Sequence, residues 1–237
     1  MPDKDLVSSD ARSAAPASSG ALIDAFVSKA KAAGTASKAR LVFALDATMS
    51  RQPTWDLACR VQGEMFATAS AVGGLSVQLV YFRGLDECRA SRWVIEPRAL
   101  TDLMAGIGCR GGQTQIGRVL RHARNEAANG PVRALVYVGD AMEEPVDALC
   151  AAAGELGLLG IKTFMFQEGH DPSAETAFRE IARLAGGAYA RFDASAPRSL
   201  AGLLSAVAAY ASGGDGALQR LAAQEPEARR LIAAMKR

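Results

Sequence analysis

Oxygen-bearing side chains occur at three places along this chain, each near the end of an apolar or glycine-containing segment. Asp46, Thr48 and Ser50 lie together in the stretch LVFALDATMS. Thr114 follows the stretch GGQ, and Asp140 ends the stretch RALVYVGD. Carboxylates and hydroxyls are the donors that Mg²⁺ and Mn²⁺ prefer, because these hard cations bind oxygen. The residue types therefore predict a site for Mg²⁺ or Mn²⁺ if the fold brings the three places together.

The spacing within these segments supports that chemistry. Asp46, Thr48 and Ser50 alternate with other residues, so a nearly extended turn points all three side chains to one side. The pair of glycines before Thr114 permits positive φ, which predicts a close approach of this loop to its neighbours. Two carboxylates would balance the charge of the ion, and the hydroxyls would add ligands without further negative charge.

A simpler interpretation treats the same residues as local capping groups. Ser50 and Thr114 each precede a helical pattern and could bond the free N–H groups of its first turn. The two aspartates could be solvated strand ends. Glu143 and Glu144 are predicted to lie at the start of a helix, where they complement its dipole. One such coincidence is common, but five oxygen donors in this order favour a metal site.

Apolar periodicity divides the chain from residue 41 onward into alternating strands and helices. The predicted strands are 41–46, 75–82, 88–95, 133–140, 161–167 and 188–192. The predicted helices are 51–72, 97–106, 114–130, 143–158, 173–185 and 197–211. Only the five residues RGLDE join the second strand to the third, so these two strands must form an antiparallel hairpin.

This alternation predicts an α/β fold with an open, mostly parallel sheet and helices on both faces. Ligands of such sheets bind beyond the carboxyl ends of the strands, where the strand order reverses. The first and fourth strands should be neighbours at that point. Asp46 and Asp140 would then lie side by side at the same edge of the sheet.

The five oxygen-bearing residues resemble the metal-ion-dependent adhesion site (MIDAS) of the von Willebrand factor A (VWA) domain. The matching positions are Asp46-x-Thr48-x-Ser50, the Gly-Gly-x-Thr114 loop and the strand-terminal Asp140. The resemblance implies a doubly wound, Rossmann-like sheet of six strands in the order 3-2-1-4-5-6, with strand 3 antiparallel. The family motif usually has Ser where this chain has Thr48, which keeps the hydroxyl.

The resemblance also implies a function and a role for each ligand. Thr48, Ser50 and Thr114 would coordinate the metal through oxygen, and Asp46 and Asp140 would do so directly or through water. The implied function is a bacterial binding module or scaffold, not an enzyme, whose cation accepts a Glu or Asp of a partner protein. Bacterial members often serve assemblies that contain ATPases or chaperones. A metal-dependent phosphohydrolase and a structural domain with an empty metal site are the alternatives.

Three further residues are predicted to contact the partner. Arg83 lies at the exit of the second strand, where a cation would suit an acidic ligand. A salt bridge from Arg83 to Asp86 or Glu87 is the alternative. Glu168 and His170 follow the fifth strand and should lie on the same rim as the metal.

Composition and charge exclude several classes of partner. The chain of 237 residues has 27 basic and 25 acidic residues, well mixed, and a net charge of +2, which predicts no nucleic-acid partner. No apolar stretch approaches the roughly 18 residues that span a bilayer, and the N-terminus lacks a secretion-signal pattern. The four cysteines are widely spaced and predict reduced thiols. We therefore expect a cytoplasmic protein with no membrane partner.

The chain is predicted to have three regions. Residues 1–37 read as a disordered or linker segment with a short helix, 38–212 as the VWA-like α/β domain, and 213–237 as a helical C-terminal tail. The tail is either a solvated or self-packing appendage or a partner-docking helix led by Leu231, Ile232 and Met235.

Overall fold

The computed structural model describes residues 39–193 and 197–236, within which six strands form one sheet. The strands are β1 (Ala39–Asp46), β2 (Leu75–Arg83), β3 (Glu87–Val94), β4 (Val132–Gly139), β5 (Lys162–Glu168) and β6 (Ala188–Phe192). Their order is β3-β2-β1-β4-β5-β6, and only the β2–β3 pair is antiparallel. The predicted order and strand directions are confirmed. The predicted segment 1–37 and its short helix lie outside the described residues.

Seven helices flank this sheet in the described ranges. They are α1 (Gln52–Val72), α2 (Pro97–Ala105), α3 (Ile116–Ala127), α4 (Val146–Leu158), α5 (Pro172–Leu184), α6 (Pro197–Ala222) and α7 (Pro226–Met235). One turn of 3-10 helix, Met49–Arg51, joins β1 to α1. Helices α1, α2, α6 and α7 cover one face of the sheet, and α3, α4 and α5 cover the other. None of these helices is both long and apolar enough to cross a lipid bilayer.

The central strand β1 shows why its sequence is a continuous apolar run. Leu41, Phe43 and Leu45 pack into the core on one face, whereas Val42 and Ala44 pack into the core on the other. All five side chains are 0–1% exposed. A strand covered on both faces cannot alternate apolar with polar residues, so polar groups first occur where the strand ends.

The C-terminal helices pack on the same sheet face as α1. Helix α6 is interrupted at Gly213 and Gly214, where the backbone leaves the helical conformation close to the predicted end at residue 211, and helical structure then resumes up to Ala222. Helix α6 passes so close to α1 at Gly213 that a side chain does not fit there, because a Cβ at position 213 would lie 2.4 Å from Cγ1 of Val72. In α7, Leu231 is fully buried in the core. The division of the chain at residue 212 stays a prediction.

Candidate metal centre

The carboxyl ends of β1 and β4 define the crevice at which the sheet order reverses. Strand β1 pairs with β2 on one side and with β4 on the other, both in parallel. Asp46 is the last residue of β1, and Asp140 directly follows the last residue of β4. The topology therefore directs both aspartates to the edge of the sheet where doubly wound folds bind ligands.

The loop after β1 is held by backbone hydrogen bonds. The Ala47 N–H donates to the Phe82 carbonyl at 3.0 Å, and the Thr48 N–H donates to Oδ1 of Asp46 at 2.7 Å. The Asp46 side chain is thereby fixed by its own loop, and the residue is only 3% exposed. Thr48 is also buried. Ser50 lies in the 3-10 turn, and its side chain lies outside the described part of the chain.

The glycine-containing loop before α3 contacts the loop after β1. The Arg110 N–H donates to the Ala47 carbonyl at 2.9 Å, and the Gln113 N–H donates to the Gly84 carbonyl at 3.1 Å. The expectation of positive φ at the paired glycines is wrong, because neither Gly111 nor Gly112 has positive φ. The close approach is real but has another cause, which is direct backbone contact between this loop and the β2–β3 turn.

Gly112→Ala should lower the free energy of unfolding by about 1–3 kcal/mol, because the added methyl group would overlap the backbone of Gly84 and force it to move. An ideal Cβ at this position would lie 2.2 Å from the Gly84 carbonyl oxygen. Gly111→Ala is the matched control, since no atom lies within 4 Å of its Cβ position. Urea unfolding of the two variants measures the difference. Equal stability of both variants would contradict the contact.

Thr114 connects the glycine loop to the loop after β4. Its N–H donates to the Glu143 carboxylate at 3.0 Å, and its hydroxyl accepts from the Glu143 N–H at 3.1 Å. The capping interpretation does not hold for Thr114, because Gln115 occupies the N-cap position of α3. A hydroxyl oxygen has two lone pairs, so accepting this bond leaves one for a metal.

The expected role of Glu143 and Glu144 is corrected by the structure. The helix that follows them, α4, begins only at Val146. The Glu144 carboxylate instead accepts hydrogen bonds from the N–H groups of Ile116 and Gly117, the latter at 2.9 Å. Glu143 therefore bonds to Thr114, and Glu144 bonds to the first residues of α3. These bonds hold the glycine-containing loop before α3 against the loop after β4.

A buried arginine that the sequence did not indicate as functional lies beside the aspartates. The Arg51 side chain is 3% exposed, and its Nε lies 3.8 Å from Oδ1 of Asp140. Its Nη1 forms an ion pair with Glu168, which also accepts a hydrogen bond from the Thr54 hydroxyl. Arg51 directly precedes α1, and its spacing of three and four residues from the buried Thr54 and Trp55 was the signal in the sequence for a buried position.

The electrostatic environment disfavours the ionised form of Asp46. The pKa of Asp46 is raised from 3.8 to about 6, mainly because the carboxyl is buried; hydrogen bonds from Thr48 and the charge of Arg51 oppose this shift, and the charge of Asp140 adds to it. Burial also raises the pKa of Tyr137 well above its ordinary value. The hydroxyl of Tyr137 is buried and has no hydrogen-bond partner among the described residues.

The donor set fits a hard divalent cation. Arg51 connects the loop after β1 to Asp140, and the N–H of Arg110 connects the glycine-containing loop before α3 to the loop after β1. Thr114 connects that glycine-containing loop to the loop after β4. Within residues 39–193 and 197–236, no three Asp, Glu, His or Cys side chains form a metal-binding group. The five ligands predicted from the sequence comprise two carboxylates and three hydroxyls, a set that suits Mg²⁺ or Mn²⁺ better than a soft metal.

The three residues predicted to contact a partner have different environments. The Arg83 guanidinium bonds to Glu87, with Nε at 2.9 Å, and donates to the Gly108 carbonyl at 2.6 Å. Glu168 faces inward and pairs with Arg51. His170 is exposed, with Nδ1 3.0 Å from Nη1 of Arg191. His170 is therefore the most accessible of the three.

Comparisons with known proteins show similarity of fold at low sequence identity. No protein-family model and no curated protein matches the sequence. An aerotolerance-related membrane protein from Bacteroides fragilis is 19% identical, with a TM-score of 0.52 over 68% of this chain and 95% of that chain. The SpRpn10 VWA domain is 10% identical, with a TM-score of 0.56 over 69% of this chain and 95% of that chain.

A third similar structure contains a metal. It is proximal thread matrix protein 1 from the mussel byssus with a zinc-occupied MIDAS motif, 13% identical, with a TM-score of 0.58 over 73% of this chain and 46% of that chain. Identities this low carry information about the fold alone. Together with the strand order, these similarities show that the chain has the fold of the von Willebrand factor A domain.

Proposed function

We propose that this chain is a metal-dependent protein-interaction module. A divalent cation, Mg²⁺ or Mn²⁺, would be held by oxygen atoms of Asp46, Thr48, Ser50, Thr114 and Asp140. The cation would supply a concentrated positive charge at the rim of the crevice. A Glu or Asp of a partner protein would bind that charge and complete the coordination.

The observation that carries this proposal is the pair of aspartates at the switch point of the sheet. Asp46 is almost fully buried, and the charge of Asp140 adds to the cost of ionising it. Carboxyl groups with a strongly raised pKa cluster at functional sites. A bound cation reverses the cost, because it favours both carboxylates in their charged form. The Asp140 side chain is 31% exposed, so the site is accessible from solvent.

Two exposed apolar side chains near the crevice support a protein as the ligand. Met49, in the turn after β1, is 62% exposed, and Leu85, in the β2–β3 turn, is 68% exposed. The glycine-containing loop before α3 bonds to Ala47, two residues before Met49, and to Gly84, which directly precedes Leu85. Apolar side chains beside a charged anchor are typical of protein-binding surfaces, where Met is enriched.

Calorimetric titration with Mg²⁺ and Mn²⁺ tests the metal site. The wild-type protein should bind either ion, and Asp46→Ala and Thr114→Ala should abolish binding while circular dichroism shows an intact fold. Glu64→Gln, which neutralises an exposed carboxylate on α1, is the control and should bind like wild type. Identical titrations for wild type and both site variants would refute the site.

Affinity capture from the native cytoplasm tests the partner. Within this proposal the partner belongs to an assembly containing an ATPase or a chaperone. Partners bound through the metal should be lost with chelator and with Asp46→Ala, because removing one side of a buried charge contact costs about 2–5 kcal/mol. Replacing the partner's metal-binding Glu by Gln should have the same effect. Metal-dependent hydrolysis of phosphate esters that is lost in Asp46→Ala would instead favour a phosphohydrolase.

A further inference from the structure

A fixed positive charge already lies at the aspartate pair. The Arg51 side chain is 3% exposed, and its Nε is buried without a hydrogen-bond partner within the described part of the chain. That Nε lies 3.8 Å from Oδ1 of Asp140. A buried cation with an unbonded N–H beside a carboxylate acts on that carboxylate mainly through charge.

Glu168 and Thr54 hold Arg51 in this position. Glu168, the last residue of β5, pairs with Nη1 of Arg51 and accepts a hydrogen bond from the Thr54 hydroxyl. A chain of polar contacts thus runs from α1 through the end of β5 to the loop after β4. Moving the arginine away would leave the carboxylate of Glu168, which is only 18% exposed, without its ion-pair partner, so the charge of Arg51 is a fixed part of the site.

The charges in this cluster are unequal. Asp46, Asp140 and Glu168 carry three negative charges when ionised, and Arg51 carries one positive charge. Glu168 and Arg51 neutralise each other, which leaves the two aspartates for a divalent cation. A metal bound there would also be repelled by the guanidinium, because the two cations share Asp140 as a neighbour.

We propose that Arg51 is a built-in counter-cation that stabilises the metal-free site and weakens divalent-metal binding. The inference rests on the proposed metal site. Arg51 stands in for part of the metal's charge, so the crevice stays folded without metal and the ion exchanges readily. Arg51 acts on the metal through the shared carboxylates and is therefore a positioning residue, not a metal ligand.

Three charge variants test this role. Arg51→Met removes the cation at similar side-chain length, and should bind Mn²⁺ at least about tenfold more tightly than wild type. Glu168→Gln leaves the cation uncompensated, and should bind Mn²⁺ about tenfold more weakly. The double variant removes both charges and should return to within about threefold of the wild-type affinity. Arg60→Met, on the exposed side of α1, is the control with the same change in net charge.

Thermal unfolding with chelator and with Mn²⁺ gives a second readout. Arg51→Met should have a lower Tm than wild type in chelator and a larger rise in Tm with Mn²⁺. If Arg51→Met does not fold without metal, the weaker binding of Glu168→Gln and its restoration in the double variant still decide the proposal. Unchanged or weaker Mn²⁺ binding by a folded Arg51→Met would overturn it.

The same titrations separate this inference from the proposed function. Wild-type binding that Arg51→Met does not tighten would overturn the role of Arg51 and leave the metal site standing. Binding by Arg51→Met alone would support the role of Arg51 and overturn the metal site of the wild-type protein. Absence of Mn²⁺ binding in every variant would overturn both.

Discussion

Asp46→Asn should raise the free energy of unfolding of the metal-free protein at pH 7 by up to about 3 kcal/mol, although it removes a proposed metal ligand. The wild-type carboxylate must ionise in a buried position where its pKa is about 6, instead of 3.8. Asparagine avoids that cost and can still accept the hydrogen bond that the Thr48 N–H donates to Oδ1. Urea unfolding in the presence of chelator measures the gain.

The gain should depend on pH in a defined direction. Because the folded protein binds this proton more tightly, the protonated group contributes stability that is fully present below pH 3.8 and is lost as the pH rises through about 6. Asp46→Asn should therefore match wild type at pH 3.5 and exceed it above pH 6. Saturating Mg²⁺ should stabilise the wild-type protein and not the variant. A variant less stable than wild type at pH 7 in chelator would contradict the burial cost.

Leu231→Ala should lower the free energy of unfolding by about 2–5 kcal/mol, since it removes a fully buried side chain and leaves a cavity. The residue lies in α7, within the segment predicted from sequence to be a tail. Leu158→Ala is the control, because Leu158 is 91% exposed and its truncation should change stability by less than about 0.5 kcal/mol. Urea unfolding measures both. A loss as small as that of the control would mean that α7 contributes little to the domain.

The places of the strands and the antiparallel direction of β3 could be predicted from the sequence for physical reasons, whereas the full strand order was implied by the resemblance to the VWA domain. Strands covered on both faces are continuous apolar runs, and the short link from β2 to β3 leaves only a hairpin. Helix boundaries were less accurate where long-range contacts decide them. The helix predicted from 143 begins at Val146, because Glu143 and Glu144 bond to the start of α3 instead. The helix predicted to end at 211 is indeed interrupted at Gly213 and Gly214, and helical structure resumes after them up to Ala222.

The proposed ligands could be selected from the sequence because their residue types, order and places at strand ends are local features. The residues that were missed depend on contacts between distant segments. Arg51 lies at the start of a predicted helix, and its contacts with Glu168 and Asp140 exist only because the fold brings the ends of β4 and β5 beside it. Gly112 was correctly expected to allow a close approach, but the reason is contact with the Gly84 backbone and not its own φ.

The pairing of β1 with β4 joins parts of the chain that are far apart in sequence, and Asp46 and Asp140 become neighbours only through it. Because no local fragment contains all the proposed ligands, we expect the proposed site to form late in folding, when this non-local pairing is complete. An interaction made after the folding barrier slows unfolding and leaves the folding rate nearly unchanged. Metal availability would then govern how long each native molecule survives proteolysis, in addition to whether it binds a partner.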